Sequence, residues 1–376
     1  MTIKVSQGQL GKEELAEVKE AFKYGYYGMA YKTIAFEEAL KKYLGAKYVI
    51  TTNNCTSALH LAVDALGIGK GDEVILPSIT FIGAFQAVSA VGATPIPVEI
   101  YPDTIQIDIE DVKRKITPRT KAIMPVHYAG NPCDIDALYK LAREHKIRII
   151  EDAAHALGST YKGKKIGSFG DVICFSFDSI KNITCGEGGA VICQEQELAD
   201  ILAQKRNCGI KRLNQASSVW KERAPEYEVN MQGYRYHMSN INAGIGLAQL
   251  KKLDGFIARR REICRKYDRA FQNVTGLSSL PIDYANVAPH IYVILVKNEL
   301  RDGLMAYLKD LDIETGINYR PNHLHNFYKG KKVSLPVSEQ TYKELLTIPL
   351  HCNLTDADVD EVIKGVTAGL KKLGAG

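Results

Sequence analysis

A lysine in apolar surroundings is the residue of this sequence whose type and setting most clearly suggest chemistry. Lys181 is the only cation of the segment FSFDSIKNITCGEGGAV (175–191), and its neighbours include Ile180, Ile183 and Cys185. Most lysines are solvated surface groups. This one follows an apolar strand and precedes a glycine-rich turn, so we expect it to be partly desolvated. Desolvation lowers the pKa of an ammonium group and frees the amine as a nucleophile for Schiff-base chemistry.

An acidic residue ends another predicted strand. Asp152 lies in the segment EDAAH (151–155), directly after the mostly apolar run 147–150. The carboxyl end of a parallel strand is where doubly wound sheets bind ligands. Taken alone, Asp152 is as well suited to capping the next helix as to contacting a cofactor. Together with a Schiff-base lysine, its carboxylate could keep a pyridinium nitrogen protonated so that the ring accepts electrons.

A polar strand end could bind phosphate. The segment TTNNCTSAL (51–59) is rich in hydroxyl and amide groups and leads into a predicted helix. Helix N-termini offer unpaired N–H groups and a partial positive charge, which suit a phosphate. Thr56 and Ser57 could equally cap the helix without a ligand, and Ser176 could be an ordinary strand residue or a second phosphate donor. A lysine nucleophile, a strand-end aspartate and a phosphate site recognise different parts of one molecule, so together they predict a site for pyridoxal 5′-phosphate (PLP).

The elements that must position these residues alternate between strands and helices. The predicted strands are YVITT (48–52), EVILP (73–77), TPIPVEI (94–100), KAIMPVHY (121–128), IRIIEDAA (147–154), DVICFSF (171–177) and GAVICQ (189–194). Such alternation predicts an α/β fold with a mostly parallel, doubly wound sheet covered on both faces. A long charged helix at 251–272 then begins a region with fewer strands. We therefore predict a large domain over 1–250 and a smaller α+β domain over 251–376.

Composition excludes several classes of protein. Of the 376 residues, 45% are hydrophobic and 24% charged, as in ordinary globular domains. A net charge of +5 without a long basic block gives no indication of a nucleic-acid partner. The uncharged stretch 74–98 is long enough to cross a bilayer, but its prolines and polar residues divide it into strand, helix and strand, so no membrane partner is expected. Eight scattered cysteines and an N-terminus without the apolar region of a signal peptide favour a cytoplasmic protein.

Long motifs throughout the chain resemble the DegT/DnrJ/EryC1/StrS family of PLP-dependent sugar aminotransferases. They include FEEALKKYLGAKYVI (36–50), KGDEVILPSITF (70–81), IIEDAAHALGSTYKGKKIGSFGDV (149–172) and GYRYHMSNINAGIGLAQL (233–250). The resemblance implies fold type I of the PLP enzymes, which is aspartate aminotransferase-like. It also implies that Lys181 forms the Schiff base, that Asp152 pairs with the pyridine nitrogen and that His155 lies near the ring hydroxyl. The remaining implied contacts are to phosphate from Thr56, Ser57 and Ser176, to the ring face from Phe81, and to the sugar substrate from Tyr319 and His323.

The reaction that the resemblance implies is amino transfer from L-glutamate to a nucleotide-linked 4-keto-6-deoxy sugar, such as a dTDP- or UDP-hexose, in surface polysaccharide biosynthesis. A homodimer with shared active sites is also implied, because GYRYHMSN (233–240) resembles the segment that reaches the neighbouring subunit's phosphate. Arg235 or His237 stands there in place of the family's asparagine. Alternatives are an aminotransferase for C3-keto sugars and a PLP-binding regulator without catalysis. Sugar 3-dehydratases of the family carry histidine at the position of Lys181, which favours amino transfer here.

Overall fold

A computed structural model describes residues 2–212, 227–297, 299–329 and 333–375. Within these ranges the α-helices are α1 (Lys12–Tyr24), α2 (Tyr31–Leu44), α3 (Cys55–Ala65), α4 (Ile82–Ala90), α5 (Ile109–Lys115), α6 (Ile135–His145), α7 (Gln196–Lys205), α8 (Asn240–Phe271), α9 (Arg301–Asp310), α10 (Pro336–Glu344) and α11 (Asp356–Lys372). The strands of the same ranges are β1 (Tyr48–Thr52), β2 (Glu73–Pro77), β3 (Thr94–Val98), β4 (Thr120–Ile123), β5 (Arg148–Asp152), β6 (Thr160–Tyr161), β7 (Lys164–Lys165), β8 (Val172–Ser176), β9 (Gly189–Cys193), β10 (Ile210–Arg212), β11 (Tyr227–Val229), β12 (Leu277–Ser279), β13 (Tyr292–Val296) and β14 (Leu345–Ile348).

The central sheet has seven strands in the order β1-β9-β8-β5-β4-β2-β3. Strand β9 is antiparallel to both of its neighbours, whereas β8, β5, β4, β2 and β3 are mutually parallel. Strands β2, β8 and β9 are buried along their whole length, which explains their continuous apolar sequences, since helices cover both faces of the sheet. The predicted α/β fold with a mostly parallel, doubly wound sheet is confirmed.

The uncharged stretch 74–98 folds as predicted into strand β2, helix α4 and strand β3. Its prolines Pro95 and Pro97 lie on β3, which is an edge strand and so leaves one side of its backbone unpaired. Of the helices in the described ranges, none is long and apolar enough to span a bilayer.

A second, smaller sheet follows helix α8. Strands β12, β13 and β14 are antiparallel, and α8, α9 and α11 pack with them around a core that includes Tyr267, Ile294 and Val362. Helix α8 runs without a break across the predicted boundary at 250/251. Ile3, near the start of the chain, belongs to this second core. The division into domains 1–250 and 251–376 therefore stays a prediction, with the first residues packing on the smaller region.

The strand ends determine where a ligand can bind. Asp152 ends β5 and Ser176 ends β8, so both lie at the carboxyl edge of the parallel strands. Phe81 follows β2 at the start of α4, and the chain after β1 turns at once into α3. This edge is the usual ligand site of open α/β sheets.

Candidate active site

A cavity of about 410 Å³ lies at this edge of the sheet. Its wall contains most of the residues that the sequence singles out, namely Lys181, Asp152, His155, Thr56, Ser176, Phe81 and Tyr319. The structure thus brings together side chains that lie between residues 54 and 319 of the sequence. Ser57 and His323 are not in the wall.

Lys181 lies in the loop between β8 and β9 and is partly buried. Burial lowers the pKa of its ammonium group, and the nearby Cys55, Asp152 and Asp178 only partly oppose this shift. Its Nζ is 3.3 Å from Nε2 of His290. A lowered pKa increases the fraction of neutral amine near pH 7, which is the form that attacks a carbonyl carbon.

Asp152 presents a buried carboxylate to the cavity. The residue is 4% exposed, and its Oδ1 accepts a hydrogen bond from the Ala154 N–H at 3.1 Å. Burial raises the pKa of Asp152, while that hydrogen bond and the charges of Lys181 and His127 lower it. Its backbone is held by Pro125, whose carbonyl accepts its N–H at 2.9 Å. A fixed, desolvated carboxylate favours a cationic N–H partner in the cavity.

The N-terminus of α3 forms the opposite part of the wall. Asn54 caps the helix, since its Oδ1 accepts the Ser57 N–H at 2.8 Å, and Ser57 itself is buried behind the lining. Thr56 remains in the cavity wall together with Ser176. Gly83 leaves room for the Thr56 side chain, because a Cβ at residue 83 would lie 2.6 Å from Thr56 Oγ1. Hydroxyl groups beside a helix N-terminus suit a phosphate.

Aromatic residues and a histidine form another part of the wall. His155 is buried, and its Nε2 lies 3.2 Å from Oη of Tyr319. Burial lowers the pKa of His155 well below its ordinary value, and the Lys181 charge adds to this effect, so the ring is neutral. Phe81 is 55% exposed, with its ring centroid 5.9 Å from that of Tyr319. An exposed phenylalanine at a cavity wall offers a free face for a planar ligand.

His323 lies behind the cavity. Its Nδ1 is 2.7 Å from Ser78 Oγ, and its Nε2 is 3.2 Å from a Glu339 carboxylate oxygen. Asn322, beside it, donates to the Ser78 carbonyl at 3.0 Å and to the Thr80 carbonyl at 2.7 Å. These contacts fix the segment that carries Tyr319 against the strand end of β2. Substrate contact by His323 stays a prediction, and the cavity lining does not support it.

Sequence reasoning did not single out His290 or Asn318. Asn318 lies in the cavity wall, and His290 is buried against Lys181 and His155. The one available signal for His290 was its place just before the apolar strand β13, in the segment VAPHIYVIL (287–295). Arg235 is exposed and His237 is half-buried. Between them, the Tyr236 carbonyl accepts the Asn53 N–H at 2.7 Å, which places this segment beside the end of β1.

The residues present fit PLP. Asp152 suits the pyridinium nitrogen, the α3 N-terminus with Thr56 and Ser176 suits the phosphate, and Phe81 suits the ring face. The amine of Lys181 is the nucleophile in the same cavity. The fit rests on Asp152 above all, because its buried carboxylate has no basic side chain in salt-bridge contact among the described residues.

Comparisons with known proteins agree with this site. The DegT/DnrJ/EryC1/StrS aminotransferase family model matches residues 8–367. The uncharacterized protein MJ1066 of Methanocaldococcus jannaschii is 40% identical over 370 residues, covering 95% of each chain. The aminotransferase TlmJ of Streptoalloteichus hindustanus has a TM-score of 0.93 and 37% identity, over 99% of this chain and 100% of its own. Spr1654 of Streptococcus pneumoniae, a proposed sugar aminotransferase solved in its PLP form, has a TM-score of 0.92 and 29% identity, over 99% of this chain and 100% of its own.

These matches extend over almost the whole chain, and the fold-type I architecture of the solved structures is the one described above. Spr1654 has been solved both with PLP and with its aminated form, PMP. The cofactor expected from Lys181, Asp152 and the phosphate site is therefore confirmed at the level of the family. The chain belongs to the DegT/DnrJ/EryC1/StrS family and is a PLP-dependent sugar aminotransferase.

Proposed function

We propose that the enzyme moves an amino group from L-glutamate to C4 of a nucleotide-linked 4-keto-6-deoxy sugar, such as a dTDP- or UDP-hexose, for surface polysaccharide biosynthesis. The observation that supports amino transfer best is the desolvated Lys181 amine in one cavity with the Asp152 carboxylate. When bound, PLP supplies an electron sink for the bonds at the substrate carbon. The protein supplies orientation and proton transfer.

The choice of C4 depends on the residues around the lysine. Lys181-Asn182-Ile183-Thr184 and Glu187 resemble the members that aminate C4, whereas members that aminate C3 usually carry aspartate at the position of Glu187. Glu187 is in the cavity wall, where burial and the charge of Asp178 raise its pKa. A different side chain at position 187 would therefore change the contacts of a substrate that binds in the cavity. Amination of C3 is the alternative.

Each side chain of the site has a distinct part in this reaction. Lys181 Nζ, once it is not bonded to the cofactor, would carry the proton that leaves one reacting carbon to the other reacting carbon. Asp152 would hold the ring nitrogen of the cofactor in its protonated form. The amino donor and the keto sugar bind in the same cavity, one after the other. Tyr319 and the α3 N-terminus serve binding rather than bond breaking.

The assignment of Lys181 can be tested by covalent trapping. We expect the purified enzyme loaded with PLP to be yellow, to lose this colour on addition of L-glutamate, and to carry the cofactor covalently on Lys181 after borohydride reduction. Peptide mapping by mass spectrometry locates the label. Labelling of another lysine, or no label in the PLP-loaded protein, would overturn the assignment, and a label without bleaching would overturn glutamate as donor.

Tyr319 is proposed to act in the sugar half of the reaction. Its hydroxyl lies 3.2 Å from His155 Nε2 in the cavity wall, on a segment fixed to β2 through Asn322. We expect Tyr319→Phe to slow the keto-sugar half-reaction by about tenfold, the effect of losing one ordinary hydrogen bond. The glutamate half-reaction should change less than about threefold. Stopped-flow traces of each half-reaction measure both rates, and equal losses in the two would contradict a sugar-specific role.

A homodimer with shared active sites is part of the proposal. Helix α1 and the following turn expose Leu15 at 72%, Phe22 at 55%, Tyr24 at 50% and Tyr27 at 50%. The rings of Phe22 and Tyr27 lie 5.6 Å apart between centroids. Exposed apolar side chains close together mark an interaction surface, and a second copy of this chain is the partner proposed. Arg235 or His237 would then reach the neighbouring phosphate. The eight cysteines, all described and all free, support the proposal that the enzyme works in a reducing cytoplasm.

A further inference from the structure

His290 is the buried group in hydrogen-bond distance of the Lys181 amine. Its Nε2 lies 3.3 Å from Lys181 Nζ, and the residue is 2% exposed. Its ring centroid is 4.4 Å from that of His155. His290 is not among the residues that line the cavity, so it lies behind the lysine and outside the cavity wall.

The position of His290 is fixed through its backbone. Its N–H donates to the Ala129 carbonyl at 3.2 Å, and its carbonyl accepts Nη1 of Arg260 at 2.9 Å. The same Arg260 nitrogen donates to the Leu350 carbonyl at 3.1 Å. Two residues earlier, the Ala288 N–H donates to Ser159 Oγ at 2.9 Å. Contacts from several parts of the chain thus fix the backbone that carries the imidazole, and burial of the residue at 2% exposure limits rotation of the ring.

The ring is neutral and has one acceptor nitrogen. Burial lowers the pKa of His290 well below its ordinary value, and the charges of Lys181, His155 and Arg260 act in the same direction. Nδ1 is buried and has no hydrogen-bond partner among the described residues. When the ring proton is on Nδ1, the lone pair of Nε2 faces Lys181 Nζ. A buried N–H without a partner is unusual in native structures. This tautomer of His290 therefore needs a compensating interaction, which a hydrogen bond from Lys181 Nζ to Nε2 would supply.

We propose that His290 is the positioning residue of Lys181, accepting a hydrogen bond from Nζ and holding the free amine in the cavity whenever it is not bonded to the cofactor. The inference rests on the role of Lys181 proposed above. The charged or ionisable groups that oppose the lowered pKa of the amine are Cys55, Asp152 and Asp178, and the neutral His155 ring also lies near it. The first three face it from the α3 N-terminus, from β5 and from the loop after β8, and none of them is the acceptor at 3.3 Å.

The test measures the amine directly in protein freed of PLP. Competitive labelling with acetic anhydride over a range of pH, read by mass spectrometry, gives the apparent pKa of Lys181. Loss of the acceptor disfavours the ammonium form, so His290→Phe should lower that apparent pKa by about one unit, a tenfold change in the equilibrium. His290→Gln, whose amide oxygen reaches the place of Nε2, should restore most of the wild-type value. His290→Asn, whose amide reaches only the place of Nδ1, should resemble the phenylalanine variant.

His351 provides a matched control. It is also buried, has an Nδ1 without a partner among the described residues, and has its Nε2 3.1 Å from the Lys4 carbonyl. His351→Phe should leave the Lys181 titration unchanged. Equal titrations in wild type, His290→Asn and His290→Gln would overturn the inference, and this pair avoids relying on phenylalanine if that variant does not fold. Borohydride labelling of wild type separates the two proposals, because a label on Lys181 supports the proposed reaction whatever His290 does.

Discussion

Replacing Lys181 with alanine is expected to lower kcat by at least about 10⁴-fold, because one side chain provides both the nucleophile and the proton carrier. Binding of PLP should survive in part, since the α3 N-terminus and Asp152 remain. Steady-state assays with glutamate and a panel of nucleotide keto-sugars measure the first effect, and equilibrium dialysis of PLP measures the second. Lys181→Arg should be equally inactive, because a guanidinium does not lose its proton near neutral pH.

Lys165 is the matched control for this loss. It is also partly buried, with Nζ 2.8 Å from the Tyr43 carbonyl and over the Tyr43 ring, but it is not in the cavity wall. Lys165→Ala should keep kcat within about threefold of wild type, as expected for a change outside the site. If Lys181→Ala retained activity within tenfold of wild type, the lysine would not be the group that reacts.

The pH dependence of PLP capture follows from the same residue. Because burial lowers the pKa of Lys181, the neutral amine persists to lower pH than for an ordinary lysine of pKa about 10.4. Capture should slow as the pH falls through the lowered pKa. The Lys181 titration described above gives this midpoint independently.

Much of the site could be predicted from local sequence. Lys181, Asp152 and Ser176 each follow or end an apolar strand, and parallel strands bring their carboxyl ends to one edge of a sheet. The stretch 74–98 was separable into strand, helix and strand because proline and polar residues interrupt it. Strand β9 was recognisable as a strand, but its antiparallel direction depends on how the chain returns after the loop that holds Lys181.

Contacts between distant parts of the chain could not be predicted in this way. His290 lies 109 residues from Lys181 in sequence, and its approach depends on hydrogen bonds of its backbone to Ala129 and Arg260. The family resemblance places His323 at the substrate, and that role stays a prediction. The structure pairs His323 with Ser78 and Glu339, contacts that depend on how the smaller region packs against β2. Residue type alone does not distinguish a residue of the wall from one behind it.

Replacing Asp152 with asparagine is expected to lower kcat by about 10³-fold, because the neutral amide cannot keep a proton on the cofactor's ring nitrogen. The same change should stabilise the protein without PLP. Burial raises the pKa of Asp152 in the folded state, so the fold binds this proton more tightly than the unfolded chain does. The ionised carboxylate therefore costs stability at neutral pH. That cost falls as the pH drops through the raised folded-state pKa and is gone below the unfolded value of about 3.9.

Thermal unfolding of PLP-free protein tests the sign of this effect, and Glu151 gives the contrast. The two acidic residues adjoin on β5, but Glu151 Oε2 pairs with His127 Nε2 at 2.8 Å and Oε1 accepts the Tyr139 hydroxyl at 2.8 Å. Glu151→Gln should lower the Tm at pH 7, because it breaks a satisfied buried network. Asp152→Asn should raise the Tm at pH 7, with a gain that shrinks toward pH 4. A Tm lowered by Asp152→Asn at pH 7 would mean that the carboxylate stabilises the empty fold, and a kcat near wild type would remove Asp152 from the reaction.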